Sequence, residues 1–115
     1  MHELSLMQDL LSIAEQNMAT YHVTRVNRVN VSVGRLANVL PDALSFAFDA
    51  LTQEGILKGA HLEIEFLPVV AACSDCGHSY EAGGFPLVCP VCRSPQFTIV
   101  SGEEVYLQSI ECEDA

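Results

Sequence analysis

A chain of 115 residues has room for one modest core and a small appendage, and half of its residues are apolar. No run approaches the roughly eighteen uncharged apolar residues of a membrane span, and the start lacks the basic stretch and apolar block of a secretory signal, so a cytoplasmic protein is expected. Fifteen Asp and Glu against five Lys and Arg give a net charge of −10, which makes nucleic acid and anionic lipid unfavourable partners.

From Glu3 to about Thr20, Met7, Leu10, Leu11, Ala14 and Met18 recur at offsets of three and four, the stripe of an amphipathic helix. RVNRVNVSVG then alternates: Val29, Val31 and Val33 share one face, Arg28, Asn30 and Ser32 the other, and Gly34 closes a half-buried strand. LPDALSFAFDALTQEG reads as a second helix, with Pro41 at its first position, Asp42 where the helix dipole favours an anion and Gly55 as C-terminal cap. Leu44, Ala47, Phe48 and Leu51 make its buried stripe. HLEIEF alternates again, Leu62, Ile64 and Phe66 inward, until Pro68 stops it. After a cysteine-rich stretch, QFTIV and EEVYLQSIE read as strands separated by the turn signal SG. The acids of the tail GEEVYLQSIECEDA form either a solvated end or a docking surface for a basic partner. The expected fold class is α+β: a small mixed sheet of about three strands with two helices, plus an inserted zinc-ribbon-like domain before the returning last strand.

The insert, between Pro68 and about Pro95, is too short and too rich in Gly, Pro and Cys to build its own apolar core. Cys73 and Cys76 are spaced as Cys-x-x-Cys, as are Cys89 and Cys92, with twelve residues between the pairs. Each pair suits a knuckle, a tight turn that offers two thiolates to one tetrahedral ion, and Gly77 and Pro90 favour such turns. Zinc in a closed four-sulfur site has no redox role and supplies the folding energy that the segment lacks. A rubredoxin-like iron site is the rival, and a thioredoxin-like dithiol is weaker because two complete pairs are present. Arg93 is the only base in residues 73–97, which leaves a nucleic-acid-binding ribbon without its phosphate-neutralising charge. Cys112 remains over, expected as a small half-buried side chain.

The chain opens on MHE. A terminal amine, the amide nitrogen of residue 2 and the His2 imidazole can close consecutive chelate rings on one ion, a nitrogen field that Ni(II) and Cu(II) favour. The alternative is an exposed histidine ahead of a helix, with Glu3 as an ordinary first-turn acid. His22 and His61 lie at element edges and read as surface residues. His78 follows the first knuckle and either faces solvent or tunes the metal site from outside the ligand set. No Gly-rich phosphate loop or catalytic triad context is evident, so no enzyme is expected.

Together, the MHE start, the strand ending VSVG, the Pro-Asp helix, CSDCGH and CPVC closely resemble, end to end, the HypA/HybF family of hydrogenase nickel-incorporation accessory proteins. The resemblance implies a small cytoplasmic nickel metallochaperone that delivers Ni(II) during maturation of [NiFe]-hydrogenase. The implied partners are a HypB-type GTPase, the hydrogenase large subunit precursor and, in some organisms, urease maturation proteins. It implies a nickel site at Met1, His2 and Glu3, a zinc site at Cys73, Cys76, Cys89 and Cys92, and Asp42 as an accessory to the nickel site. Residues 1–67 with 98–115 would form the nickel-binding α/β domain and residues 68–97 the zinc-binding domain. A zinc-ribbon adaptor without nickel stands as the alternative.

Overall fold

The computed structural model describes residues 2–82 and 87–114. These fall into two compact units, one made of Met1–Ser32, Val39–Glu65 and Tyr106–Ala115 and the other of Val33–Asn38 and Phe66–Val105.

In the first unit, α1 (His2–Met18) and α2 (Pro41–Leu51) pack on each other. The expected stripe of α1 is buried, from Met7 through Leu10, Leu11 and Ala14 to Met18, as are Leu44, Ala47 and Phe48 of α2. Each large apolar side chain so buried contributes about 1.5–3 kcal/mol. Pro41 starts α2 where a missing N–H has no intrahelical partner to lose. The helix stops earlier than Gly55: the Thr52 hydroxyl donates back to the Phe48 carbonyl at 2.7 Å, which ends the turn. Gly55, at φ +89, instead bends the following loop, and the Val26 amide donates to the Ile56 carbonyl at 2.9 Å.

β1 (Val23–Gly34) is the central strand of a sheet ordered β2-β1-β6, with β2 at His61–Leu67 and β6 at Val105–Asp114. Val29, Val31 and Val33 are buried as the alternation requires, but so is Val26, three positions before Val29, so the inward set shifts by one residue. Ser32, expected on the polar face, is fully buried, and its hydroxyl meets the Gln108 side chain of β6 at 3.3 Å. A buried hydroxyl needs such a partner. Asn30 reaches Ser109 and Glu111 from the same strand, each at 3.0 Å. Leu51, Leu62 and Ile64 are only half-buried, and Cys112 is exposed on β6 rather than half-buried.

The second unit carries β3 (Val70–Cys73), β4 (Ser79–Glu81) and β5 (Phe97–Ser101) as an antiparallel sheet ordered β4-β3-β5. Ala71 opposes Tyr80 on one side and Ile99 on the other, and Cys73 opposes Phe97. Residues that read as irregular at the start of the insert are therefore paired strands, and β5 joins them. Phe66, expected inward, is exposed, with the Arg35 guanidinium 5.9 Å from its ring centre. Gly34 donates to the Glu104 carbonyl at 2.7 Å, Leu36 to the Gly102 carbonyl at 2.7 Å, and Arg35 to the Leu67 carbonyl at 3.1 Å, which ties three passages of the chain together. The Glu104 carboxylate closes the same turn, accepting from the Gly102 amide at 3.0 Å and the Glu103 amide at 3.2 Å.

Candidate metal centre

The four insert cysteines converge through two turns built alike. In the first, Gly77 donates to the Cys73 carbonyl at 2.9 Å, Cys73 donates to the His78 carbonyl at 2.9 Å, and the Cys76 amide points at Cys73 Sγ from 3.5 Å. In the second, Arg93 donates to the Cys89 carbonyl at 2.8 Å, Cys89 donates to the Ser94 carbonyl at 2.9 Å, and the Val91 amide points at Cys89 Sγ from 3.4 Å. The residue after each second cysteine takes the left-handed conformation that closes the turn: Gly77 at φ +79 and Arg93 at φ +64. Glycine adopts this at no steric cost, whereas arginine is strained.

All four sulfurs lie within 4.8 Å of one another, with Cys73 and Cys92 3.4 Å apart and Cys76 and Cys89 3.6 Å apart. A tetrahedral ion held at about 2.3 Å by each sulfur requires edges of about 3.8 Å, so these donors fit a single ion of that kind. Cys73 and Cys89 are buried, and Cys76 and Cys92 are exposed. The metal-free thiols divide the same way. The Cys76 amide draws Cys73 down to about 6, against the effect of its burial. Burial raises Cys89, but the Cys92 and Val91 amides outweigh it and hold Cys89 below the usual thiol range. Although the Ser94 amide favours its thiolate, contact with the Cys73 sulfur and burial push Cys92 up to about 12. Cys76 is raised too: the His78 amide lowers it, while burial and the Cys89 and Cys73 sulfurs prevail. Each close sulfur pair thus combines one thiol lowered from its usual range with one raised above it.

Residues that sequence reasoning did not single out complete the centre. The Ser94 hydroxyl, on a residue buried to 9% exposure, donates to Asp75 Oδ2 in the opposite turn. Ser94 Oγ accepts from the Gln96 amide at 3.2 Å, and the Ser74 amide donates to the Gln96 carbonyl at 3.0 Å. The Tyr80 hydroxyl is buried without a partner among the described residues, and burial, followed by the four nearby cysteines, raises its pKa. The equivalence of Gly77-His78 and Arg93-Ser94 after their cysteine pairs is the sequence signal that marks Ser94.

His78 is exposed, and its ring stacks on Tyr80 with centres 6.5 Å apart. Of the residues expected to hold nickel, Met1 and the side chain of His2 lie outside the described residues. Glu3 is buried, and its Oε2 accepts from the Leu40 amide at 3.4 Å. Leu40 precedes α2 and has no capping side chain of its own, so the Glu3 carboxylate supplies an acceptor at that helix start. Asp42 is exposed in the first turn of α2, two residues beyond Leu40. His22 and His61 are exposed.

The family described as "Hydrogenase/urease nickel incorporation, metallochaperone, hypA" matches residues 1–112. The chain belongs to the HypA family. A hydrogenase maturation factor HypA of Acidithiobacillus ferrooxidans is 42% identical over 113 residues, covering 98% of this chain and all of that protein. The HypA of Desulfitobacterium hafniense is 40% identical over 114 residues, covering 99% of this chain and all of its own length. A HypA solution structure superposes with a TM-score of 0.75 at 28% identity over 98% of this chain and 97% of that one. The solution structure of the Ni metallochaperone HypA from Helicobacter pylori shares the fold, with a TM-score of 0.69 at 24% identity over 98% of each chain. HypA membership and the α+β fold agree with the resemblance carried by MHE and the two cysteine pairs. No helix among the described residues is long and apolar enough to cross a membrane.

Proposed function

We propose that this HypA-family chain is a cytoplasmic nickel metallochaperone that takes up Ni(II) at its own N-terminus and delivers it during maturation of [NiFe]-hydrogenase. The family match carries this reading, because it starts at residue 1 and so includes MHE. Nickel is the cargo. The Met1 amine, the His2 imidazole and the backbone nitrogen between them are its donors, and Asp42 is an accessory at the neighbouring helix start. Glu3 acts here as a support: its carboxylate reaches the Leu40 amide, which holds the first turn of α1 at the start of α2. The amine and the imidazole bind only in their unprotonated forms and the backbone amide must give up its own proton, so acid opposes capture.

The second metal is resident. Cys73, Cys76, Cys89 and Cys92 hold Zn(II), which joins two turns of a segment with little apolar core. Zinc bound by four sulfurs has no open position, which suits a structural role. In this reading residues 1–67 with 98–115 serve nickel, and residues 68–97 serve zinc. A HypB-type GTPase and the hydrogenase large subunit precursor are the partners, with urease maturation proteins as further recipients.

The test is calorimetric titration of Ni(II) into zinc-loaded protein with a free N-terminus, beside His2→Ala and a form extended at the N-terminus. Loss of one nickel site in both variants is the expected result. Equal binding in all three would remove the terminal site and favour a zinc-ribbon adaptor.

A further inference from the structure

The two cysteine turns are also joined by contacts that contain no sulfur. Ser94 follows the second turn, and its carbonyl already closes that turn by accepting from Cys89 at 2.9 Å. Its hydroxyl crosses to Asp75, the residue between Cys73 and Cys76 that precedes the second of them. Gln96 then grips both ends of this bridge: its amide donates to Ser94 Oγ at 3.2 Å, and its carbonyl accepts from the Ser74 amide at 3.0 Å. Residues 74 and 75 of one turn are therefore held by residues 94 and 96 of the other. A hydrogen bond to a charged carboxylate is stronger than one between neutral groups, and the Ser94 residue that donates it is buried.

We propose that Asp75 and Ser94 are positioning residues of the four-sulfur centre, forming with Gln96 a clasp that holds the two half-sites together before an ion arrives and slows the ion's departure. Neither residue contributes a ligand. An ion leaving an unclasped site needs only one turn to swing away, after which two sulfurs remain. With the clasp closed, the sulfurs released by the ion stay beside it and recapture it. The inference rests on the cysteines holding a divalent metal and is independent of nickel at the N-terminus.

The full-length chain is loaded with Co(II), whose visible bands report the number of thiolate ligands, and with Zn(II); transfer of each ion to excess chelator is then timed. Binding of Co(II) with a four-thiolate spectrum tests the metal reading itself, so its failure is distinct from failure of the clasp. Ser94→Ala and Asp75→Ala are expected to keep that spectrum and to lose metal about tenfold to a hundredfold faster, as groups supporting metal ligands do. Ser94→Thr and Asp75→Asn, which keep the hydroxyl and an acceptor oxygen, are expected to stay near the parent rate. Release from Ser94→Ala within twofold of the parent would overturn the proposal, and so would loss of a thiolate band in that variant. Should the variants fold poorly, amide exchange in the metal-free parent chain decides: protection at Ser74 is expected, and free exchange there would overturn the clasp.

Discussion

Gly34 lies so close to Gly102 that a Cβ built on Gly34 would stand 2.2 Å from the Gly102 carbonyl oxygen and 2.8 Å from the Glu103 amide nitrogen. Both obstacles are backbone, fixed by the bonds from Gly34 to Glu104 and from Leu36 to Gly102. Gly34→Ala must push two chain passages apart and is expected to destabilise the protein by at least about 3 kcal/mol. Gly55→Ala, where nothing lies within 4 Å of the new carbon, carries only the left-handed backbone penalty of about 1–2 kcal/mol. Chemical denaturation of both variants checks this, and equal losses would contradict it.

The paired cysteine turns make a second comparison. Arg93 holds φ +64 where its counterpart Gly77 holds φ +79. Gly77→Ala meets no atom within 4 Å, so its expected cost of about 1–2 kcal/mol is purely conformational. Arg93→Gly relieves the same strain but loosens the unfolded chain, leaving a net gain of about 0.5–1 kcal/mol. Melting of the metal-loaded proteins should show shifts of opposite sign.

Metal uptake should displace fewer protons than four ordinary thiols would release. With Cys73 at about 6, its sulfur is a thiolate before the ion arrives, while Cys92 at about 12 and the raised Cys76 remain protonated. No more than about three protons per ion should appear near pH 8, and the number should rise by about one as Cys73 becomes protonated below about pH 6. Apparent affinity consequently falls as pH falls. Calorimetry in buffers of different ionisation enthalpy counts the protons, and a value near four at pH 8 would contradict the lowered Cys73 thiol.

The Gly102 amide, with the amides of Glu104 itself and Glu103, holds the Glu104 carboxyl below its usual range. A group whose folded pKa is depressed stabilises the fold fully above its unfolded value and loses that contribution as pH falls through the lower folded value. Parent and Glu104→Gln proteins should therefore differ most at neutral pH, and the difference should shrink as pH falls from about 4 through the lower folded value. Denaturation midpoints across that interval provide the check, and a gap that persists at low pH would assign the effect to packing instead.

Much of this architecture was legible along the chain. The stripe from Met7 to Met18, the valines of β1 and Pro41 announce their elements because each pattern spans several turns or alternations. Cys73, Cys76, Cys89 and Cys92 announce a metal site because thiolate pairs at that spacing suit one tetrahedral ion. β3 and β4 escaped because VAAC and SYE are too short to display a period, and their pairing is decided by the turn between Cys73 and His78. Ser32 escaped because its burial depends on Gln108, 76 residues away. Likewise the Ser94 bond to Asp75 and the Glu3 bond to Leu40 join positions that no local pattern relates.

The pinned carboxylate of Glu3 also fastens the first turn of α1 to the residue before α2, 37 positions along the chain. It works as a latch between two helix starts: α1 cannot lift there without baring the Leu40 amide to solvent. That one amide is therefore a local gauge of how firmly the two helices stay together.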